Sequence, residues 1–211
     1  MHLDHVSYAT SHDNLIDVVQ RIGSQLGASF IDGGIHPQFG TRNFILPLKN
    51  ARYIEVVCTL DHPAADKTPF GQLVSKKVEA GGGWLTWVVA VDDLTPIEEK
   101  LDRTAVEGHR KKPDGEELFW RQIGVLDTLD LASNPFFIQW NSQSHPSRER
   151  DSSISIDSID VFGDPNSLQQ RYGLNGFFTK NDVKFNWLSS SEDSGIDAVT
   201  FLTQSGVIKI D

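Results

Sequence analysis

Two ionisable side chains interrupt short apolar strand patterns in the first sixty residues. His5 lies within residues 3–9 and Glu55 within residues 53–57, and each occupies a position where an apolar residue is expected. A carboxylate between Ile54 and Val56 is costly to bury without a partner. We infer that both side chains face one cavity, where imidazole nitrogen and carboxylate oxygen suit a divalent metal ion: Zn, Mn, Fe, Co or Ni. The alternative is a polar pair that lines a pocket without metal.

A third candidate ligand is His36, in the glycine-rich segment 32–41 that leads into the strand beside Glu55. Catalytic metal sites use about three protein ligands and keep one position open. His36 is therefore either a ligand or a substrate contact. Glu55 is also a candidate general base, because a base beside a Lewis acid can abstract a proton next to a carbonyl. The three residues together match the two-His, one-carboxylate set of some dioxygenases.

The elements that position these residues follow a β-α-β-β-β order. Hydrophobic periodicity predicts a strand over 3–9, a helix over 15–26 that ends at Gly27, and strands over 29–31, 42–48 and 52–59. Segment 32–41 shows neither a helical nor a strand period, so we expect it to be a loop. Its glycines permit close backbone approach.

The same order then returns, and this repeat organises the chain. The second block comprises strands over 84–91, 118–125 and 135–140, with a helix over 96–101 and a basic turn after it. Aligning the blocks places Trp87 at the position of His5 and Gln139 at the position of Glu55. The spacing from His5 to Glu55 is 50 residues, and the spacing from Trp87 to Gln139 is 52. A third, abbreviated block is expected from a strand over 154–161, a helix over 165–172, and strands over 183–188, 196–203 and 207–210.

This repeat, with a His on its first strand and a Glu on its last, resembles the vicinal oxygen chelate superfamily. More narrowly, it resembles the glyoxalase-like domain branch, the glyoxalase/bleomycin resistance/dioxygenase fold. The segments that match are 3–6, 33–37, 40–43, 53–55, 113–115 with 120–121, and 135–140. The resemblance implies an α+β fold in which tandem βαβββ modules, 1–62 and 84–141, form a cupped mixed sheet. The implied domains are 1–146 and a C-terminal βαβββ-like extension, 152–211.

The resemblance also implies metal ligands from the first and last strands of each module. The first module supplies His5 and Glu55, and the second would have to supply Trp87 and Gln139. Tryptophan cannot bind a metal and a glutamine amide oxygen binds weakly, so the chain departs from the four-ligand pattern. We therefore assign Gln139 and Trp87 to substrate binding. Asn43 and Arg121 complete that group, the arginine as a clamp for a carboxylate. Core packing for the tryptophan and a surface position for the arginine are the alternatives.

Composition restricts the partners and the compartment. The net charge is −10, so the chain lacks the basic surface that nucleic acids require. The one basic cluster, 109–112, precedes the turn signal 113–115, and we expect a solvated loop there rather than an anion site. Neither a signal peptide nor a membrane segment is evident. The single cysteine, Cys58, lies in an apolar run as a structural thiol, which fits a reducing, cytoplasmic setting.

These patterns predict a metal-dependent lyase, isomerase or dioxygenase that acts on a small carbonyl or diol compound. The first alternative is a metal-free protein of the same fold that sequesters a small molecule between its tryptophans. The second alternative is a structural domain with a filled core. Both modules lie in one chain, so a monomer can close its own cup, and a homodimer is left open.

Overall fold

Twelve strands form two sheets in the computed structural model, which describes residues 1–174, 176–190 and 193–211. The three omitted positions fall within the predicted extension 152–211 and lie outside the described residues. The first sheet contains eight strands: β1 (His2–Ala9), β2 (Ile31–His36), β3 (Thr41–Leu48), β4 (Arg52–Thr59), β5 (Gly83–Ala90), β6 (Val106–Lys111), β7 (Glu117–Ile123) and β8 (Phe136–Trp140). The second contains β9 (Ser155–Phe162), β10 (Lys184–Leu188), β11 (Gly195–Thr203) and β12 (Gly206–Ile210).

Seven α-helices and one short 3-10 helix, Pro146–Arg148, connect these strands within the described ranges. The α-helices are α1 (Leu15–Leu26), α2 (Pro63–Lys67), α3 (Pro69–Glu79), α4 (Thr95–Leu101), α5 (Val125–Asp130), α6 (Pro165–Tyr172) and α7 (Phe177–Lys180). Helix α1 ends at Gly27 as predicted, since this glycine adopts the left-handed conformation, with φ at 66°, that closes a helix. None of the described helices is long and apolar enough to cross a membrane.

The eight-stranded sheet closes on itself in the order β1-β4-β3-β2-β6-β7-β8-β5. Pairing is parallel between β1 and β4 and between β5 and β8, and antiparallel elsewhere, so the sheet is mixed as predicted. Closure, which the expected cup did not include, occurs where Ile35 of β2 pairs with Lys111 of β6.

The glycine-rich segment makes this closure, so the expectation of a loop over 32–41 is wrong for its first half. A Cβ atom on Gly34 would lie 1.9 Å from the Lys111 carbonyl oxygen, so only glycine lets the two strands approach. Strand β2 continues to His36, and only the turn before Thr41 is irregular. The sequence pattern did not predict this strand because its glycines contribute no side chains to a period-two alternation.

The basic cluster is also a strand, so the prediction of a solvated loop over 109–112 is wrong. Residues 106–111 form β6, in which Gly108 and Arg110 face inward while Glu107 and Lys111 are exposed. Only 3% of the Arg110 surface is accessible. A strand whose outward residues are Glu, His and Lys and whose inward ones are Gly and Arg carries no hydrophobic alternation.

The apolar core has two layers, one inside the closed sheet and one outside it. The inner layer includes Val57, Val88 and Ile138, whereas Ile22 and Trp87 belong to the outer layer. The outer layer also contains Cys58, where burial raises the pKa of the thiol to about 11, as expected for a structural cysteine.

The second sheet, ordered β10-β9-β11-β12, packs against the outer face of β5. The Trp84 indole donates a hydrogen bond of 2.9 Å to the Ile210 carbonyl. The Trp87 ring contacts Phe177, Phe178 and Phe185 of the C-terminal part. This part has the predicted β-α-β-β-β order with one additional short helix, α7.

Candidate functional site

A cavity inside the closed sheet collects the polar side chains of the first module. It encloses about 390 Å³ of space not occupied by atoms, part of which is open to solvent. Its polar lining consists of His5, His36, Asn43, Glu55, Arg110 and Gln122. Its aromatic walls are Phe39, Tyr53, Phe70, Trp120, Phe136 and Trp140. The structure therefore brings together four of the seven predicted site residues.

Glu55 is buried at the centre of β4 and accepts two hydrogen bonds. Ser7 Oγ donates to its Oε2 and Asn43 Nδ2 donates to its Oε1, each at 2.7 Å. Parallel pairing of β1 with β4 sets Ser7 beside Glu55, and antiparallel pairing with β3 brings Asn43 to the same side. Burial raises the pKa of Glu55, but His5, His36 and the two hydrogen bonds outweigh it, so the pKa lies below its usual value. Glu55 is thus a carboxylate at neutral pH.

His5 is held by Asp4, the residue before it. Its Nδ1 lies 2.7 Å from Asp4 Oδ2, and its ring stacks on Tyr53 at a centroid distance of 4.3 Å. These contacts leave Nε2 facing the cavity, 3.9 Å from Glu55 Oε2. The β1–β5 register shifts between Leu3 and His5, a bulge that turns Asp4 toward the site.

Asp4 is completely buried and is the shared acceptor of three rings. Besides His5, the Trp140 indole donates to its Oδ1 at 3.2 Å, and His145 Nε2 lies 3.1 Å from the same oxygen. Burial raises the pKa of Asp4, but the hydrogen bonds from His145 and His5 outweigh it and hold the pKa well below its usual range. An ionised Asp4 fixes the tautomer and orientation of His5, as carboxylates behind ligating histidines do.

His36 lies across the cavity in an aromatic box. Its Nδ1 is 2.8 Å from Thr41 Oγ1, and its Nε2 is 3.4 Å from Asn43 Nδ2. The rings of Trp120, Phe70 and Phe39 meet it edge-on. Burial lowers the pKa of His36 to about 4, and the nearby Glu55 only partly opposes this effect. The imidazole is therefore neutral at physiological pH, the form that binds metals.

The donor chemistry of His5, His36 and Glu55 suits a divalent ion, and its geometry is partly assembled. Each imidazole has Nδ1 engaged; Nε2 of His5 is left available, whereas Nε2 of His36 has a long hydrogen bond from Asn43 Nδ2 that a metal ion would have to replace. The gap of 3.9 Å between His5 Nε2 and Glu55 Oε2 can be bridged by an ion at ~2.0–2.2 Å from both. Among the described residues, however, no group of three His, Cys, Asp or Glu side chains is arranged around one point. The His5–Glu55 pair fits a metal, and His36 would have to move.

The other three predicted site residues lie outside the cavity. Trp87 is fully buried in the outer layer, where its indole donates to the Ser133 carbonyl at 3.3 Å. Gln139 accepts a hydrogen bond of 3.2 Å from the Leu94 amide, and Arg121 pairs with Glu98 at 2.6 Å. The alignment that gave Gln139 the position of Glu55 is therefore wrong in its prediction that the two side chains share a cavity.

The sequence alignment of the second module with the first was wrong by one residue, which explains why Trp87 and Gln139 lie outside the cavity. Val88, not Trp87, pairs with His5 across the β1–β5 ladder, and Phe136 and Ile138 line the cavity on either side of the outward Phe137. Successive strand residues face opposite sides, so a shift of one position exchanges inside for outside. The second module thus presents apolar side chains where the first presents His5 and Glu55.

Asp4 and Gln122 belong to the site although they were not among the residues predicted from the sequence, and Arg110 belongs to it although its cluster, 109–112, was predicted to be a solvated loop rather than an anion site. Gln122 accepts a hydrogen bond of 2.7 Å from the Trp120 indole. The signal for Asp4 was present, because an aspartate next to His5 in an apolar strand needs a partner. No comparable signal marks Arg110, which stands in a wholly polar segment.

Comparison with known proteins agrees with this architecture. A family model described as "Glyoxalase-like domain" matches residues 3–173, and no curated protein matches significantly. A solved structure, a hypothetical protein from Staphylococcus aureus, aligns with 100% of this chain and 98% of its own, with 15% identity and a TM-score of 0.67. It therefore shares the fold, including the second sheet.

Methylmalonyl-CoA epimerase from Mycobacterium tuberculosis aligns with 66% of this chain and 86% of its own, with 16% identity and a TM-score of 0.43. A single-residue variant of the Streptomyces coelicolor epimerase covers 67% of this chain and 99% of its own, at 13% identity and a TM-score of 0.43. The family match extends past the predicted boundary at residue 146 into β9 and α6, and it includes every polar residue of the cavity. Because this match covers most of the sequence, the chain belongs to the glyoxalase-like domain family, of the vicinal oxygen chelate fold.

Proposed function

We propose that this protein is a lyase or isomerase that removes a proton from the carbon beside a carbonyl group in a small molecule. The observation that supports this is the pairing of an ionised Glu55 with an Asp4-held His5, whose Nε2 and Glu55 Oε2 face one cavity 3.9 Å apart. An atom placed about 3 Å from both fits this separation, which is the requirement for acid–base work on one substrate.

In the proposed reaction, Glu55 accepts the proton and the electron pair of the broken C–H bond forms the double bond of an enol or enolate. Negative charge then develops on the carbonyl oxygen. His5, in its protonated form, donates a hydrogen bond to that oxygen through Nε2, while Nδ1 stays on Asp4. The aromatic walls lower the polarity around the reacting atoms, which strengthens these interactions.

As an alternative to the hydrogen bond from His5, a divalent ion on His5 and Glu55, with His36 as a third ligand after a side-chain movement, would supply Lewis-acid polarisation of the carbonyl. We do not extend the proposal to dioxygenase chemistry, because that chemistry requires the complete set of three ligands around one point.

The test follows exchange of carbon-bound hydrogen for deuterium in D2O by proton NMR, with pyruvate and dihydroxyacetone as probes. Wild-type protein should accelerate exchange in at least one probe. Glu55→Gln keeps the size of the side chain and should lower the rate by about 100-fold or more. Glu99→Gln, on an exposed position of α4, is the matched control and should leave exchange unchanged. Exchange that is equal in wild type and Glu55→Gln would contradict the assignment of the base.

A second candidate is a binding protein that performs no chemistry. It is favoured by one observation, namely that both Glu55 oxygens already accept hydrogen bonds and so are less basic. Under this alternative, the wild-type protein binds small ligands in the cavity but accelerates no exchange in any probe. The same NMR experiment, combined with a binding measurement, therefore separates the two candidates.

A further inference from the structure

Arg110 is a buried cation without a partner among the described residues. It lines the cavity from β6, yet its Nε and Nη2 atoms are buried and meet no hydrogen-bond acceptor in the part of the chain that the structure describes. Burial lowers the pKa of its guanidinium group, and nearby acidic groups only partly oppose this effect. Leaving a buried charge uncompensated is costly, so such a group points to an anion that arrives from outside.

The carboxylates nearest to Arg110 are engaged elsewhere. Glu55 accepts from Ser7 and Asn43. Glu116 and Glu149, which act on Arg110 only at a distance, pair with Lys112 at 2.6 Å and 3.0 Å. Tyr53 lines the same cavity, but burial raises the pKa of its phenol well above the usual value, so it stays neutral. No described group that faces Arg110 neutralises it by contact.

The fold makes room for the guanidinium group beside the His5–Glu55 pair. A Cβ atom on Gly33 would lie 3.0 Å from Arg110 Nη1 and 2.1 Å from Asn43 Oδ1. Only a glycine at this position of β2 therefore lets Arg110 and Asn43 occupy neighbouring space. Because Asn43 also holds Glu55, the anion site and the proposed base share one wall of the cavity.

We propose that Arg110 binds the carboxylate of a small, singly charged ligand with a flat apolar body. The proposal rests on the proposed function and names its substrate class. One guanidinium group balances one added negative charge, and the ionised Glu55 in the same cavity repels a second negative charge. The rings of Phe136, Trp120 and Trp140 provide flat apolar surfaces for the body of the ligand.

The test compares benzoate with benzamide, its neutral analogue, by isothermal titration calorimetry. Wild-type protein should bind benzoate at least about tenfold more tightly, since a hydrogen bond to a charged group in a buried site is worth roughly one to two powers of ten in affinity. Arg110→Gln should remove this preference and leave benzamide binding unchanged. Lys111→Gln, next along β6 with an exposed side chain, is the control and should retain the preference.

Benzamide also serves as the check on folding, because its binding to Arg110→Gln shows that the cavity is intact. A wild-type protein that binds both ligands equally, or a preference that survives in Arg110→Gln, would overturn the proposal. If inorganic phosphate bound as tightly as benzoate, the ligand would not need an apolar body. If phthalate, which carries two carboxylates, bound more tightly than benzoate, the ligand would not be limited to one negative charge.

Glu55→Gln separates this inference from the proposed function. It should still prefer benzoate while losing hydrogen exchange. If the wild type accelerates hydrogen exchange but its benzoate binding does not depend on Arg110, only the proposed anion site is contradicted. If benzoate binding depends on Arg110 but no exchange is accelerated, only the proposed reaction is contradicted.

Discussion

At the scale of single residues, the site consists of groups whose charge is set by their neighbours. His5 and Glu55 could be predicted from sequence because an ionisable residue inside an apolar strand requires a buried partner. Arg110 could not, because its importance depends on closure of the sheet between β2 and β6. A contact between strands so distant in sequence leaves no local signature in a polar segment.

Metal binding is a prediction at this scale. Chelator-treated protein titrated with Zn²⁺ or Mn²⁺ should take up one ion per chain, and both His5→Gln and Glu55→Gln should weaken uptake by about 100-fold, because each removes one of two preformed ligands. His12→Ala, at an exposed position before α1, is the control. Absence of uptake by the wild type would remove the metal from the proposal and leave the acid–base pair in place.

At the scale of elements, strand register decides which residues reach the cavity. The order of strands and helices in the first module was predictable from periodicity. The inward face of β5 was not, because its residues are apolar on both faces and the alternation that fixes register is missing. The bulge at Asp4 adds a further shift in the β1–β5 register, and no sequence pattern predicts it.

A pair of tryptophan substitutions tests this register. Trp87→Phe should lower the free energy of unfolding by roughly 1–3 kcal/mol, because it opens space in the outer layer and removes the hydrogen bond to Ser133. It should leave benzoate binding unchanged. Trp120→Phe, on the cavity wall, should weaken benzoate binding severalfold. Denaturation and calorimetry measure the two effects, and a binding defect in Trp87→Phe would contradict the assigned register.

At the scale of the whole molecule, two sheets stabilise one another through buried contacts. The family resemblance predicts the duplicated module, and the structure adds the closed sheet. The resemblance gave no guide to how the C-terminal sheet covers the outer face of β5, because that packing depends on aromatic residues far apart in sequence, such as Trp87 and Phe185.

The contact between Arg52 and Asp182 joins the first module to the C-terminal part. Arg52 is buried, donates to the Leu3 carbonyl, and pairs with Asp182, which Asn50 also contacts at 2.7 Å. The hydrogen bond from Arg52 holds the pKa of Asp182 below its usual value.

Asp182→Asn should therefore lower the free energy of unfolding at pH 7 by about 0.5–1 kcal/mol, since it weakens the partner of a buried cation but solvent reaches half of the Asp182 side chain and screens the pair. Because the pKa of Asp182 is depressed in the folded state, its contribution is complete above the unfolded pKa, near 3.9, and is lost as the pH falls through the folded value. Urea denaturation at pH 7 and pH 3 should show the difference from wild type shrinking at pH 3. Asp61→Asn, at an exposed loop position, should show no such change.

The asymmetry of the two modules gives the cavity a direction. The first module presents His5 and Glu55 to the cavity, and β8 of the second module presents Phe136 and Ile138. A molecule with one charged end and one flat end then has a single way to enter, and a planar enol bound there exposes only one of its two faces to Glu55. The product of such a turnover is expected to be a single mirror-image form, which chiral chromatography can determine.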